Sequence, residues 1–140
     1  MRTALKIFTV LLLLFNGTGA IYGGWNLMRS PDGSSLQIGT EWLRYSPFTD
    51  FFIPGLVLFC VNGLFSFVVL TILLAAPQRS YTFIILQGVL LSGWIMVQVL
   101  MMRQVVGLHM IMGSVGVLLV GCGYLLRYRA NDAAGGAPVR

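Results

Sequence analysis

Charge is what this chain has least of. Only 9% of its 140 residues are Asp, Glu, Lys or Arg, while 57% are hydrophobic; soluble domains carry about 25% charged residues. No charged residue occurs in 7–23, 51–78, 80–102 or 104–126. Proton relays, ion-coupled pumps and voltage sensors depend on such groups inside the membrane, so those classes are disfavoured. The small four-helix type of proton-driven drug exporter, which uses a glutamate in its first helix, is disfavoured on the same ground. Histidine is limited to His109 and cysteine to Cys60 and Cys122. One histidine cannot supply bis-histidine haem ligation or a His-rich zinc site. The two cysteines lie in apolar runs without C-x-x-C spacing, which argues against a redox pair or a disulfide framework. No cofactor is implied. The nine Lys and Arg give a net charge of +5, but they are scattered and form no basic helix, so no nucleic-acid partner is expected.

What is present is a set of four apolar runs, over about 4–24, 50–76, 80–102 and 105–126. Each is long enough to cross the roughly 30 Å hydrocarbon layer of a bilayer. "PQR" (77–79) is expected to break the second run from the third, because proline cannot continue a helical ladder, with Ser80 as the next N-cap. "RQ" (103–104) makes a short turn into the fourth. Connections this short force antiparallel neighbours. The fold predicted is an all-α membrane protein: a single transmembrane domain over 1–126, built as a four-helix up-down bundle. One outer loop, 25–49, lies between the first and second helices, and a small polar tail over 127–140 reads as disordered.

Arg2, Lys6, Arg79, Arg127, Arg129 and Arg140 fall on one side, and Arg29, Arg44 and Arg103 on the other. The excess places both termini in the cytoplasm of a cell, or inner, membrane. An alternative for the first run stays open. "MRTALK", a short apolar core and "NGTGA" also describe a secretory signal peptide cleaved after Ala20, which would leave the sidedness of the rest unchanged.

In lipid, helices gain little by hiding apolar surface from one another, so small and polar residues mark their contact faces. At helical spacing Gly19 and Gly23 form such a face on the first helix, and Gly113, Gly116 and Gly123 on the fourth. Asn16, Asn62, Ser92 and Ser114 fall near mid-membrane at about 1.5 Å of rise per residue, and each needs a hydrogen-bond partner there. With Trp94 and Gln98 they are the candidate lining of a polar pocket, over which the loop 25–49 is the candidate lid. His109, Asp50 and Arg103 form a candidate polar group at the outer surface.

"SPFTDFFIPG" (46–55) reads as helix initiation, with Ser46 as N-cap, Pro47 in first position, and Thr49 and Asp50 over the free amides of the first turn. Together with the earlier "PDGS" (31–34) it resembles small bacterial four-helix inner-membrane proteins, families whose activity is uncharacterised. The resemblance covers roughly residues 20–60, carries no catalytic residues, and implies a bacterial origin. The disulfide-forming, quinone-reducing type and the claudin type both require loop cysteines that this chain does not have.

The expectation is a non-enzymatic accessory or assembly subunit that contacts membrane lipids and binds another membrane protein or itself as a homo-oligomer. The competing reading is a binder or carrier of a lipid, quinone or other amphiphile within the bundle.

Overall fold

Hydrocarbon offers the backbone no hydrogen-bond partners, so a spanning segment must bond its own amides and carbonyls, as a helix does. The computed structural model describes residues 2–136 and is all-helical, with no strand among them. Four helices are long and apolar enough to cross a membrane: α1 (Arg2–Arg29), α2 (Phe52–Ala75), α3 (Pro77–Met102) and α4 (Gly107–Gly135). The chain is therefore a multi-pass membrane protein. α1 packs against α2 and α4, and α3 against the same two, so the helices form a square in chain order.

The expected break between the second and third runs falls at Ala76 rather than over 77–79. Ala76 alone makes the turn, with φ −141° and ψ 70°, and Pro77 takes the first helical position of α3. A missing amide costs nothing there. Ser80 is consequently not an N-cap; it is buried, and its hydroxyl donates to the Pro77 carbonyl at 2.6 Å.

Ser46 and Pro47 do not start α2 either. Ser46 Oγ donates to the Leu43 carbonyl at 2.8 Å and accepts from the Phe48 amide at 3.2 Å, closing a turn in the loop. The helix begins at Phe52, whose amide donates to Asp50 Oδ1 at 3.0 Å. Pro54 sits in that first turn, where proline is tolerated.

At the other end, α4 runs on to Gly135, through much of the segment expected to be disordered. Alanines 130, 133 and 134 favour helix, and Ala130 packs against the core. Residues 137–140 of the expected tail, Arg140 among them, lie outside the described residues.

The two halves of the bundle differ. Toward the termini, Leu13, Val69, Leu73, Ile84 and Leu119 interlock with at most 1% exposure. Two glycine contacts let the helices approach closely. A Cβ on Gly24 would stand 2.7 Å from the Gly55 carbonyl, and one on Gly88 would stand 2.6 Å from the Gly116 carbonyl. The loop half is not filled in this way, and the residues connecting α1 to α2 close over it.

Candidate functional site

The loop over 30–51 folds on itself before it folds on the bundle. Gly33 adopts φ +81°, which only glycine takes without strain. Asp32 Oδ1 accepts from the Ser34 amide at 3.0 Å and its hydroxyl at 2.7 Å. These bonds, the hydroxyl's first, hold the exposed Asp32 carboxyl below its ordinary pKa. The Phe51 amide donates to the Pro31 carbonyl at 2.8 Å, which ties the two ends of the loop together. Two short helical turns, Ser34–Leu36 and Thr40–Leu43, then turn apolar side chains downward. Leu43 and Phe51 are buried with Leu27 at the end of α1, and Leu36, Ile38 and Phe48 pack around them. This cluster extends α1 beyond residue 24, its expected end.

Beneath that roof lies a cavity of about 530 Å³, within the range of small-molecule sites. The loop contributes Leu36, Ile38, Trp42 and Leu43 to its lining. The walls are apolar except on one side, where Trp94 and Gln98 of α3 stand beside His109 of α4. Phe15 and Gly19 of α1 and Leu108 of α4 line the cavity while exposed on the bundle surface, so it opens laterally between α1 and α4.

Trp94 Nε1 is buried and has no hydrogen-bond partner among the described residues. His109 Nδ1 accepts from the Val106 amide at 3.3 Å, so in the neutral ring the proton resides on Nε2.

Below the floor, one helical turn further in, lies a polar layer. Ala20, Leu58 and Leu91 line the cavity, and four residues from each along its own helix lie Asn16, Asn62 and Gln87. All three amides are fully buried. Around Asn62, residues Leu58–Leu64 widen into a π-helical segment, a form found frequently at functional positions. The Asn62 carbonyl accepts from Asn16 Nδ2 at 3.2 Å and from Ser66 Oγ at 2.7 Å. Asn16 Nδ2 also donates to Ser66 Oγ at 2.8 Å, and Gln87 Nε2 donates to Asn62 Oδ1 at 3.4 Å. Asn16 Oδ1, Asn62 Nδ2 and Gln87 Oε1 are left without partners among the described residues.

The candidate residues thus separate. Trp94 and Gln98 line the cavity, whereas Asn16 and Asn62 lie below it, bound to each other and to α3. Ser92 faces Gly116 in the contact between α3 and α4. Ser114 is exposed and donates to the Met110 carbonyl at 2.7 Å. The outer polar group also divides: His109 is buried at the cavity wall, Asp50 caps α2, and Arg103 stacks on Tyr45.

Among the glycines, Gly116 and Gly123 are packing contacts within the chain, where a Cβ would press on Ser92 and on Ile85. Gly23 sits against Leu58, Gly113 has only Ile95 at 3.9 Å, and a Cβ on Gly19 would meet nothing within 4 Å. Ser66 and Gln87, which share the helical faces of Asn62 and of Trp94 and Gln98, are the remaining members of the polar layer, while the roof residues Leu36 and Ile38 were not singled out by sequence reasoning. The helical spacing of Ser66 from Asn62 carried the first of these. The irregularly spaced Leu36 and Ile38 carried no comparable signal.

Comparison with known protein families, with curated proteins and with solved structures finds no match to this chain.

Proposed function

We propose that this protein binds a membrane amphiphile in the cavity between the roof loop and the amide layer, and that it acts by holding this molecule rather than by converting it. The observation that carries the reading is an otherwise apolar, laterally open cavity lined on one side by Trp94, Gln98 and His109, with the Trp94 indole N–H buried and without a partner among the described residues. A buried donor left unsatisfied costs about 1–3 kcal/mol, which a ligand oxygen would recover. The apolar lining suits an acyl or isoprenoid chain. The donors of Trp94, His109 and Gln98 suit a carbonyl, ester or hydroxyl at its polar end, as in a quinone or a glycerolipid.

An assembly role would have drawn on the glycine face of α4, and that face is occupied by α3 of the same chain. The excess of Lys and Arg at the terminal end supports an orientation with both termini in the cytoplasm. On that orientation the cavity opens toward the outer leaflet.

The test is native mass spectrometry of the protein released from its own membrane in polymer-bounded lipid particles. A stoichiometric amphiphile is expected on the wild type and reduced on Trp94→Phe, which keeps the ring and removes the donor. Equal retention by the two proteins, or no stoichiometric amphiphile on the wild type, overturns the reading.

A further inference from the structure

A second cleft lies at the opposite end of the bundle, about 630 Å³ in volume, where the start of α1 meets the first turns of α3 and the last turns of α4. Its polar lining comes from all three helices: Arg2, Gln78, Tyr81, Thr82, Arg127 and Asn131, with alanines of α4 between them. Every one of these polar side chains can donate a hydrogen bond, and among the described residues no acidic side chain is part of the lining. Asp132, the one acid on α4, is exposed and lies outside the cleft. Arg2 Nη2 donates to Tyr81 Oη at 3.3 Å. The Tyr81 ring is itself anchored in the core, so this bond places the guanidinium and leaves its other donors for a ligand. Two guanidinium groups on one cleft repel unless an anion lies between them, and the guanidinium fork matches phosphate oxygens. Tyr124 and Tyr128 stand exposed at the same end, where aromatic residues mark the headgroup layer. The extension of α4 beyond Leu126 supplies one whole wall of this cleft.

We propose that this cleft binds a phosphate group, with Arg2 and Arg127 as its clamp and Thr82, Gln78 and Asn131 as neutral donors. The proposal is independent of the outer cavity. A basic pocket between helices at headgroup depth suits an anionic phospholipid, and a soluble phosphate offers the same chemistry.

The experiment compares wild type with the Arg2→Gln/Arg127→Gln double variant in nanodiscs of phosphatidylglycerol and phosphatidylcholine, reading retained lipid by native mass spectrometry. Arg79→Gln serves as control, since Arg79 is exposed nearby and outside the lining. A parallel arm titrates inorganic phosphate into each protein in neutral detergent. Preferential retention of phosphatidylglycerol is expected, reduced about tenfold in the double variant and unchanged in the control. Binding of inorganic phosphate with the same dependence on the two arginines, without lipid preference, supports the site with a soluble source. If the double variant and Arg79→Gln lose lipid equally, or neither ligand depends on the arginines, the proposal is overturned. Thermal unfolding of each variant identifies any loss that comes from misfolding, and an Arg2→Lys/Arg127→Lys variant, which keeps charge without the fork, is then the deciding comparison: retention intermediate between wild type and Gln is expected, and retention no better than Gln overturns the clamp.

Discussion

The guanidinium carbon of Arg103 lies 4.3 Å from the centroid of the Tyr45 ring, so the turn between α3 and α4 grips the loop that roofs the cavity. Arg103 makes this contact from a left-handed backbone conformation, φ 50°, which glycine also adopts readily. Arg103→Gly therefore removes the cation–π contact while keeping the turn. Such a contact at an exposed site is worth about 0.5–1 kcal/mol. The roof should open more often, with amide exchange across 30–51 rising about two- to fivefold and α1–α4 unaffected. Tyr45→Leu, which also removes the Arg44 contact at 5.9 Å, should have at least this effect, and the double variant should not exceed it. Exchange that rises across the whole bundle would mean that Arg103 supports the fold rather than the roof.

Asn16 and Trp94 lie on opposite sides of the cavity floor, and their substitutions should separate stability from binding. Asn16→Ala removes the donor that joins α1 to the Asn62 carbonyl and Ser66. Interhelical bonds of this kind average about 0.6 kcal/mol with a maximum near 1.7, so a loss of about 1–2 kcal/mol is expected in detergent unfolding, with ligand stoichiometry unchanged. Trp94→Phe should do the reverse, lowering stoichiometry with stability nearly preserved. If both substitutions lower both quantities in proportion, the cavity and the amide layer act as one unit.

Much of this arrangement was open to a reader of the sequence, for a reason particular to membranes. A bilayer imposes a minimum apolar length on every span, so the runs around Leu11, Val69, Leu91 and Leu119 mark four helices without any knowledge of their contacts. The boundaries were less legible because they depend on tertiary partners. α1 continues to Arg29 because Leu27 finds Leu43 and Phe51, and α4 continues past Leu126 because Ala130 meets the core. Ser92 and Ser114 show the limit of reading faces from spacing. Helical periodicity places a residue on a face of its own helix, but whether that face meets a cavity, as at Trp94, or a glycine, as at Ser92, is decided by the neighbour. The roof was named as a lid on its aromatic residues and its position, while Leu36 and Ile38, which also close it, are set irregularly between turns.

The glycines of α4 should differ sharply in tolerance. A Cβ at Gly116 stands 3.1 Å from the Gly88 carbonyl and presses on Ser92 Oγ, whereas one at Gly113 has its nearest neighbour at 3.9 Å. Gly116→Ala should destabilise by about 1–3 kcal/mol, the usual cost of overpacking. Gly113→Ala should be neutral or slightly stabilising, since alanine is the better helix former. Unfolding in graded detergent mixtures measures both. Equal tolerance at the two positions would contradict the close approach of α3 and α4.

The Asp32 turn gives the loop an acid limit. Hydrogen bonds from Ser34 hold the carboxyl below its ordinary pKa of 3.8, so the folded loop favours the ionised form more than the unfolded chain does. That contribution is fully present above pH 3.8 and is lost as the pH falls through the lowered value. Carbon-detected titration should find Asp32 titrating below an unstructured aspartate, and Ser34→Ala should move it back toward the ordinary value. An unmoved Asp32 in that variant would leave the turn without its electrostatic role.

Gly19 offers the sharpest test of the cavity, because it can be filled without disturbing the bundle. Gly19 lies at the lateral mouth between Phe15 and Gly23, and a Cβ there meets no atom within 4 Å. Gly19→Leu adds volume where the ligand's chain would enter and replaces a poor helix former in mid-helix, a change worth up to about 1 kcal/mol in favour of the helix. Stability should therefore hold or rise while the bound amphiphile is lost. Few substitutions that damage a binding site have that combination, since lost ligand ordinarily lowers apparent stability through mass action. A Gly19→Leu protein that keeps its full complement of ligand would place the amphiphile elsewhere on the bundle, and the cavity would then be only the space beneath a structural roof.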